Sequence, residues 1–576
     1  MRYRLRDFLV DNSSNVRLPQ REHFQISYTD GKEIEERIYG IINSSHDRSV
    51  WSPELIHKIT DWPSEYHFSP LRHNLLRHFS LKNTDHILEL GCGCGAITRQ
   101  LGESGADITS IDGSLSRAKC AAERCKDLSN VKVYCSNFRN IEFDQQYDYV
   151  TLIGVLEYAP LFFDCENPLS ECLLVAKNAL KKDGTLIIAI ENRLGLKYFN
   201  GFSEDHVGKP YFGIEDLYQP NTAKTLGKQE LKELLRNVGF NEIRFQYPFP
   251  DYKLPEVILD ESALKHKGFD CAELIRSLKS RDYSGKSQNA FSEFMAWKTI
   301  NANGLLGDLS NSFLVTASTE NMDSDSQFLA VKYTTNRKLE YNTKTEFVQA
   351  DRDVKVLKSH LVHSRAQSEL NLVQNLKQDR YYEGISLSTL IRETIHKNNF
   401  QEFGSHIQNW LDYLCEYGMK EKNAKDKFDT PLLPHFIDCL PGNIITMGQS
   451  LVFIDTEWEY DKPFCIKTLF LRYWLNEMYW LGGASYRDFI LKHIPSPSRT
   501  PTDLLCALAA LFEVHFNKNS IREGVQVFEE VSKTVYGANS TQSALLTKEP
   551  DINSSHENMK FMNKLKNKLK RILLIY

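Results

Sequence analysis

The chain has no apolar run of about 18 residues, the length a membrane-crossing helix needs, so no spanning segment is expected. Its opening, MRYRLRDFLV, is charged and lacks the apolar stretch of a secretory signal, so export by that route is not expected. Twelve cysteines are scattered without metal-type CxxC pairs. The one close couple, Cys92 and Cys94, sits inside a glycine-rich turn, and reduced cytosolic thiols are the simplest reading. Basic excess is missing too: 70 Lys plus Arg face 75 Asp plus Glu, a net charge of -5. No global field therefore draws the protein onto nucleic acid, and nucleic acid is not expected as a partner.

What is present is ordinary globular composition, 41% hydrophobic and 25% charged over 576 residues, enough for two or three domains. Residues 1–60 are mixed polar and apolar and read as an N-terminal cap region. From 61 to 261, short β-rich runs alternate with helical ones, which predicts a parallel sheet wound with helices on both faces. Asp183-Gly184 is expected as a turn before strand TLIIAIEN, and Gly239 as the cap of helix KQELKELLRNVG. Residues 262–290 read as a linker. Its GKS, residues 285–287, is not a phosphate loop, because no apolar strand precedes it and Ser280 stands where a glycine is required. Residues 291–516 open with strand-like runs (SFLVTAS, QFLAVKYTT, DVKVLK) and pass to helices. Residues 517–559 read as a helix and flexible linker, and 560–576 as a basic amphipathic helix.

Two constellations carry chemistry. Strand Ile87–Leu90 runs into Gly91-Cys92-Gly93-Cys94-Gly95 and a helix, so a ligand can approach the backbone closely at the carboxyl edge of a parallel sheet. Asp112 ends the next strand, where a carboxylate can accept both ribose hydroxyls, and Glu89 before the glycines suits a cationic amino acid better than a phosphate. This pattern, with NVKVYCSNF and YDYVTLIGVLEYA downstream, resembles class I S-adenosylmethionine-dependent methyltransferases. The resemblance implies a Rossmann-like α/β domain with Gly91, Gly93 and Gly95 around the methionine moiety, Glu89 near its amino group and Asp112 on the ribose. Asn137 stands at the adenine position, usually an Asp, and Leu156-Glu157-Tyr158 beside the sulfonium. Candidate bases are Glu157, Glu191, Asp205 and His206, with His206 best tuned for neutral pH. Tyr66 and His67 are expected either to close the site or to serve as helix-end residues.

In the second constellation, Asp438 and Asn443 share a loop and Asp455 ends the following strand, a grouping able to join a base to two magnesium ligands. HFIDCLPGNIIT with LVFIDTEWEY is similar to aminoglycoside-phosphotransferase-like kinases, and Tyr382-Glu383-Gly384 with Ser386-Leu387 resembles their hinge. The resemblance implies a two-lobed α+β domain with Asp438 as base, Asn443 and Asp455 as Mg2+ ligands, and Lys332 on the ATP phosphates, with Lys355 and Lys358 as rivals and Glu369 as helix partner. Gly304 and Gly307 do not form a GxGxxG, and Phe436 replaces the usual His two residues before Asp438.

EYHFSPLRHNLLRHF, ENRLGLKYFNG, EDHVGKPYFGIEDLY and PFPDYKLPEVI further resemble methyltransferases of bacterial surface-polysaccharide machinery. The domain order resembles bifunctional chain-terminating enzymes of O-antigen. That implies methylation of a hydroxyl or phosphate on a surface glycan or its lipid-linked precursor, and glycosyltransferases as partners. The expected location is the cytoplasm or the inner face of the cytoplasmic membrane, with the C-terminal helix on anionic lipid or on an acidic partner protein. The competing reading is a glycan- or partner-binding scaffold with an inactive kinase-like half.

Overall fold

The computed structural model describes residues 3–20, 31–283, 285, 289–320, 328–351, 353–362, 371–422, 424–480, 484–493 and 501–536. The expected basic helix at 560–576 and Glu369 lie outside the described residues. The chain divides into two units, one of residues 1–266, 274–333 and 346–349, the other of 267–273, 334–345 and 350–576.

The first unit is a wound α/β layer. Its strands are β1 (Phe8–Asp11), β2 (Val16–Pro19), β3 (His86–Leu90), β4 (Asp107–Asp112), β5 (Val131–Cys135), β6 (Tyr147–Ile153), β7 (Leu180–Glu191), β8 (Glu242–Phe249), β9 (Val257–Asp260), β10 (Ser312–Ser318) and β11 (Phe328–Thr334). They lie in the order β11-β9-β8-β10-β7-β6-β3-β4-β5-β2-β1. Strands β5, β4, β3, β6 and β7 are mutually parallel. Their apolar runs are covered on both faces, as near-continuous hydrophobic strands require. The chain adds β4 and β5 on one side of β3 and then crosses to place β6 on the other, which opens a crevice at the carboxyl ends.

Helices α1 (Lys32–Ser44), α2 (Trp62–Phe68), α3 (Ala96–Glu103), α4 (Leu115–Arg124), α5 (Pro168–Ala179) and α6 (Lys228–Val238) belong to this unit. Helix α6 buries Leu231, Leu235 and Val238 on one stripe. It ends at Gly239 as expected, with φ +95° in the left-handed region. The Asp183-Gly184 turn is instead a break inside β7: Tyr147 faces Leu180 while Tyr149 faces Thr185, so the residues between loop out of register.

Three boundaries move. Residues 1–60 are not a separate cap, because β2 joins β5 in the sheet and Glu35 of α1 accepts hydrogen bonds from Ser116 and, at 3.0 Å, Arg117 of α4. SFLVTAS, expected in the second domain, is β10, antiparallel between β7 and β8. QFLAVKYTT is β11, antiparallel to β9. A fully buried strand carries no local signal of which sheet it enters, so its neighbours in sequence misassign it.

The second unit carries β12 (Asp353–His360), β13 (Ile444–Met447), β14 (Ser450–Phe453) and β15 (Trp458–Tyr460), with helices α7 (Leu387–His396), α8 (Phe400–Tyr413), α9 (Ile466–Trp480) and α10 (Lys518–Tyr536). A separate apolar core holds it, with Trp410, Phe403 and Ile407 of α8 against Leu469, Phe470 and Tyr473 of α9. No helix among the described residues is long and apolar enough to cross a membrane.

Candidate functional site

The crevice at the carboxyl edge of β3 to β7 is a cavity of about 400 Å³, within the range of small-ligand sites. The loop after β3 shapes one end. Gly91 has φ +82°, and a Cβ there would stand 2.4 Å from Val155, so only glycine fits. Gly93, by contrast, has nothing within 4 Å of a Cβ position, which leaves its backbone open to the cavity that it lines together with Gly91.

Asp112 closes β4 with both oxygens engaged: Oδ2 accepts from the Gly93 N–H at 2.8 Å and Oδ1 from the Ser114 N–H at 2.9 Å. Each oxygen keeps a further lone pair. Burial pushes the Asp112 carboxyl up, against the pull of Arg117 and these two amides. Glu89 is buried, with Oε2 accepting from Thr98 and Ser110 at 2.7 Å each, and burial raises its pKa to about 7. Asn137 lines the cavity, but its amide oxygen also caps Arg139 N–H at 3.0 Å, so one lone pair is left for an adenine amino group.

Tyr66, Arg72, Tyr158, Asp205, His206, Tyr252, Lys253 and Tyr283 line the same cavity. His206 is held at both nitrogens, Nδ1 by the Tyr158 hydroxyl at 3.0 Å and Nε2 by Glu191 Oε2 at 3.3 Å. Lys253 Nζ lies 2.5 Å from both Glu191 and Asp205, and Lys197 reaches Asp205 at 2.9 Å. Burial alone would lower the His206 pKa, yet the Glu191 carboxylate overrides it and raises it to about 9. The imidazole is therefore charged near pH 7, which corrects the expectation of a base tuned to neutrality. Burial pushes Glu191 up, but Lys253 and His206 outweigh it and keep that carboxyl well below its usual range. Glu157 is fully buried without a hydrogen-bond partner for either oxygen, and burial followed by Glu191 raises its pKa to about 8. It stands behind the lining residues.

Tyr66 and His67 do line the cavity. Arg72 donates to the Tyr66 hydroxyl at 3.2 Å, its guanidinium 4.7 Å from that ring's centroid. Lys253, Tyr252, Arg72 and Tyr283 carried no role in the sequence. Lys253 stood in a recognised motif, PFPDYKLPEVI, but Tyr283 fell in the expected linker, and only its aromatic character there was a signal.

These residues fit the expected ligand: a carboxylate for an ammonium, open backbone at the glycines and a second carboxylate with free lone pairs one strand away. Residues 88–186 match the family model of a methyltransferase domain. The chain carries an S-adenosylmethionine-dependent methyltransferase domain. The ubiquinone biosynthesis O-methyltransferase of Rickettsia akari is 27% identical over 201 residues, 33% of this chain and 76% of that protein. The carboxy-S-adenosyl-L-methionine synthase of Helicobacter pylori is 25% identical over 188 residues, 29% of this chain and 73% of that one. Among solved structures, Haemonchus contortus phosphoethanolamine N-methyltransferase 2 in complex with S-adenosyl-L-methionine is 20% identical, covering 43% of this chain and 52% of that one at a TM-score of 0.27.

In the second unit, Asn443 Nδ2 donates to the carboxylate and the carbonyl of Asp438, both at 2.9 Å. Arg472 reaches Asp438 at 3.4 Å, and burial raises the Asp438 carboxyl. Asp455 sits in the left-handed region at φ +58° and pairs with Lys358, which also meets Glu457 at 3.1 Å. Of the three lysines considered, Lys358 is the one beside the Asp455 carboxylate. Lys332 lies exposed on β11 in the first unit, opposite Val257, which corrects its assignment. Phe436 is a core residue, its ring tilted at 51° to that of Phe453 with centroids 5.4 Å apart. The Trp410 Nε1–H to Cys439 carbonyl bond at 2.9 Å and the Arg472 bond to the Ile437 carbonyl anchor the loop instead. The cavity beside Asp438, bounded by Arg337, Arg472 and Tyr536, is only about 100 Å³.

Proposed function

We propose that this chain transfers a methyl group to a phosphate or hydroxyl oxygen of a bacterial surface glycan or its lipid-linked precursor. The observation that carries this reading is the acceptor wall, where the rings of Tyr66, Tyr252 and Tyr283 stand among Arg72, His206 and Lys253. Aromatic faces cover the apolar side of a sugar ring, and the cationic donors hold oxygen, the more strongly if it is charged. When bound, S-adenosylmethionine supplies an electrophilic methyl carbon. The protein's part is to align an oxygen with it and to manage that oxygen's proton.

His206 holds a proton at neutral pH and Glu191 is paired with two cations. A hydroxyl acceptor therefore finds no free base at His206, whereas a phosphate oxygen is already ionised and meets the positive charges of Arg72, Lys253 and His206. This favours the phosphate. The second unit then has a role upstream: Asp438, with Asn443, Asp455 and Lys358, would use ATP and Mg2+ to place that phosphate. The small cavity beside Asp438 favours a second reading of this unit, a glycan- or glycosyltransferase-binding module without transfer. Peripheral attachment to the inner face of the membrane through residues 560–576 belongs to the same proposal.

The test has two stages. Calorimetric titration with S-adenosylhomocysteine should show binding that Asp112→Ala weakens at least about a hundredfold, since two hydrogen bonds to a charged group are lost. Labelled methyl transfer to lipid-linked glycans is then measured before and after phosphatase treatment. Transfer abolished by phosphatase supports the phosphate, persistence supports the hydroxyl, and no transfer to any glycan by protein that binds the cofactor overturns the acceptor class.

A further inference from the structure

Glu157 is costly as the protein stands. Its side chain is fully buried and neither oxygen is hydrogen-bonded, although buried carboxylates are normally paired or coordinate metals. One ligating atom each of Glu157, Glu191 and His206 lies within 4.8 Å of the other two. Three separate segments deliver them: the turn after β6, the last residue of β7 and the loop that follows α5 and β7. The surrounding charges balance without Glu157. Lys197 and Lys253 face Asp205 and Glu191, two ammonium groups against two carboxylates. That leaves Glu157 and Glu204 to the His206 imidazole, and the hydrogen bond that Glu204 accepts from His206, at 2.8 Å, comes from the main-chain N–H and not from the ring.

We propose that Glu157, Glu191 and His206 bind one divalent cation of the first transition row behind the acceptor wall of the cavity. Two carboxylate oxygens and an imidazole nitrogen form a mixed set that suits Mn2+, Fe2+ or Zn2+, unlike the all-oxygen shell that Ca2+ takes. Ligand atoms around such an ion stand about 3–4 Å apart, so the cluster has to contract by no more than about an ångström or two. His206 Nε2 exchanges its Glu191 contact for the ion, while Nδ1 stays on the Tyr158 hydroxyl, an outer partner of the kind that fixes the tautomer of a ligating imidazole. The ion takes the place of the protons that the cluster otherwise holds, so binding releases protons. Because Tyr158 and His206 both line the cavity, an ion here would reach the acceptor through them. The binding claim itself does not depend on the acceptor proposed above.

The full-length protein, stripped with a chelator, is titrated with Mn2+ followed by electron paramagnetic resonance and with Zn2+ followed by calorimetry. Asp455→Asn serves as the background, so that any ion held in the second unit is removed from the count. One site is expected, with Glu157→Gln and His206→Gln each weakening it at least about tenfold. Proton release should appear in buffers of different ionisation enthalpy. Failure of both ions to bind at millimolar concentration, or an affinity that neither substitution changes, overturns the proposal. Circular dichroism and S-adenosylhomocysteine binding establish that each variant is folded, and His206→Gln decides the matter where Glu157→Gln is not. Loss of methyl transfer with metal binding intact would count against the acceptor reading and leave this one standing.

Discussion

Replacing Glu157 by Gln keeps the side chain's shape and removes its titration. In the chelated protein the Glu157 carboxyl stands at about 8 against an ordinary 4.5. Because the folded pKa is the higher one, the native state keeps its proton after the unfolded chain has lost it. The contribution is complete below pH 4.5 and is lost as the pH climbs through 8. Each pH unit in that window costs about 1.4 kcal/mol, so the full loss is about 5 kcal/mol. His206, raised from 6.5 to about 9, has the same sign but a later window. Glu191, held below 4.5, loses its contribution only on the acid side. Asp205 is likewise lowered and Lys253 raised well above 10.5, so neither titrates in between. Urea unfolding at a series of pH values, read on the transition that S-adenosylhomocysteine shifts, should therefore give a difference between variant and wild type that grows by about 1.4 kcal/mol per pH unit between about pH 5 and 8 and levels off above that. A difference that stays constant with pH would refute the buried, protonated Glu157.

Two further outcomes concern the cofactor end. An ammonium placed against Glu89, whose pKa burial raises to about 7, favours the ionised carboxylate, so S-adenosylhomocysteine binding near pH 7 should release protons and weaken as the pH falls below that value; Glu89→Gln should abolish the release, measured calorimetrically in buffers of different ionisation enthalpy. Gly91→Ala forces a Cβ to 2.4 Å from Val155 at φ +82°, and should cost about 1–3 kcal/mol in thermal unfolding together with most of the cofactor affinity.

The cofactor half of the site was legible because its signals are local. A strand, three glycines and a carboxylate on the next strand lie within one stretch of chain, and Glu89, Gly93 and Asp112 meet in the cavity as that spacing implies. The acceptor half was not, because its properties arise from contacts between distant segments. His206 alone suggests a base near neutrality, and it becomes a cation only because Glu191, the last residue of β7, is set beside it. Lys332 sits in a strand like any other nucleotide-site candidate, yet its partner in the sheet is Val257 of the first unit. Lys358 was indistinguishable from Lys355 by sequence, and the one-residue alternation of β12 brings Lys358 to Asp455.

The same misplacement yields a sharp test of where the methyltransferase unit ends. The matched family region stops at residue 186, yet β10 lies beyond residue 310 and fills the gap between β7 and β8. Val315 is fully buried there, opposite Ile188 on one side and Phe245 on the other. A carboxylate introduced at this point has no partner and costs several kcal/mol, comparable to the whole stability of a domain. It also separates β8 from the strand whose last residue is Glu191. Val315→Asp should therefore abolish S-adenosylhomocysteine binding from a position more than a hundred residues past the matched region, whereas Lys332→Asp, exposed on β11, should leave it near wild type. If Val315→Asp bound the ligand normally with an unchanged circular dichroism spectrum, β10 would not be part of the cofactor-binding sheet, and residues 291–334 would return to the second unit.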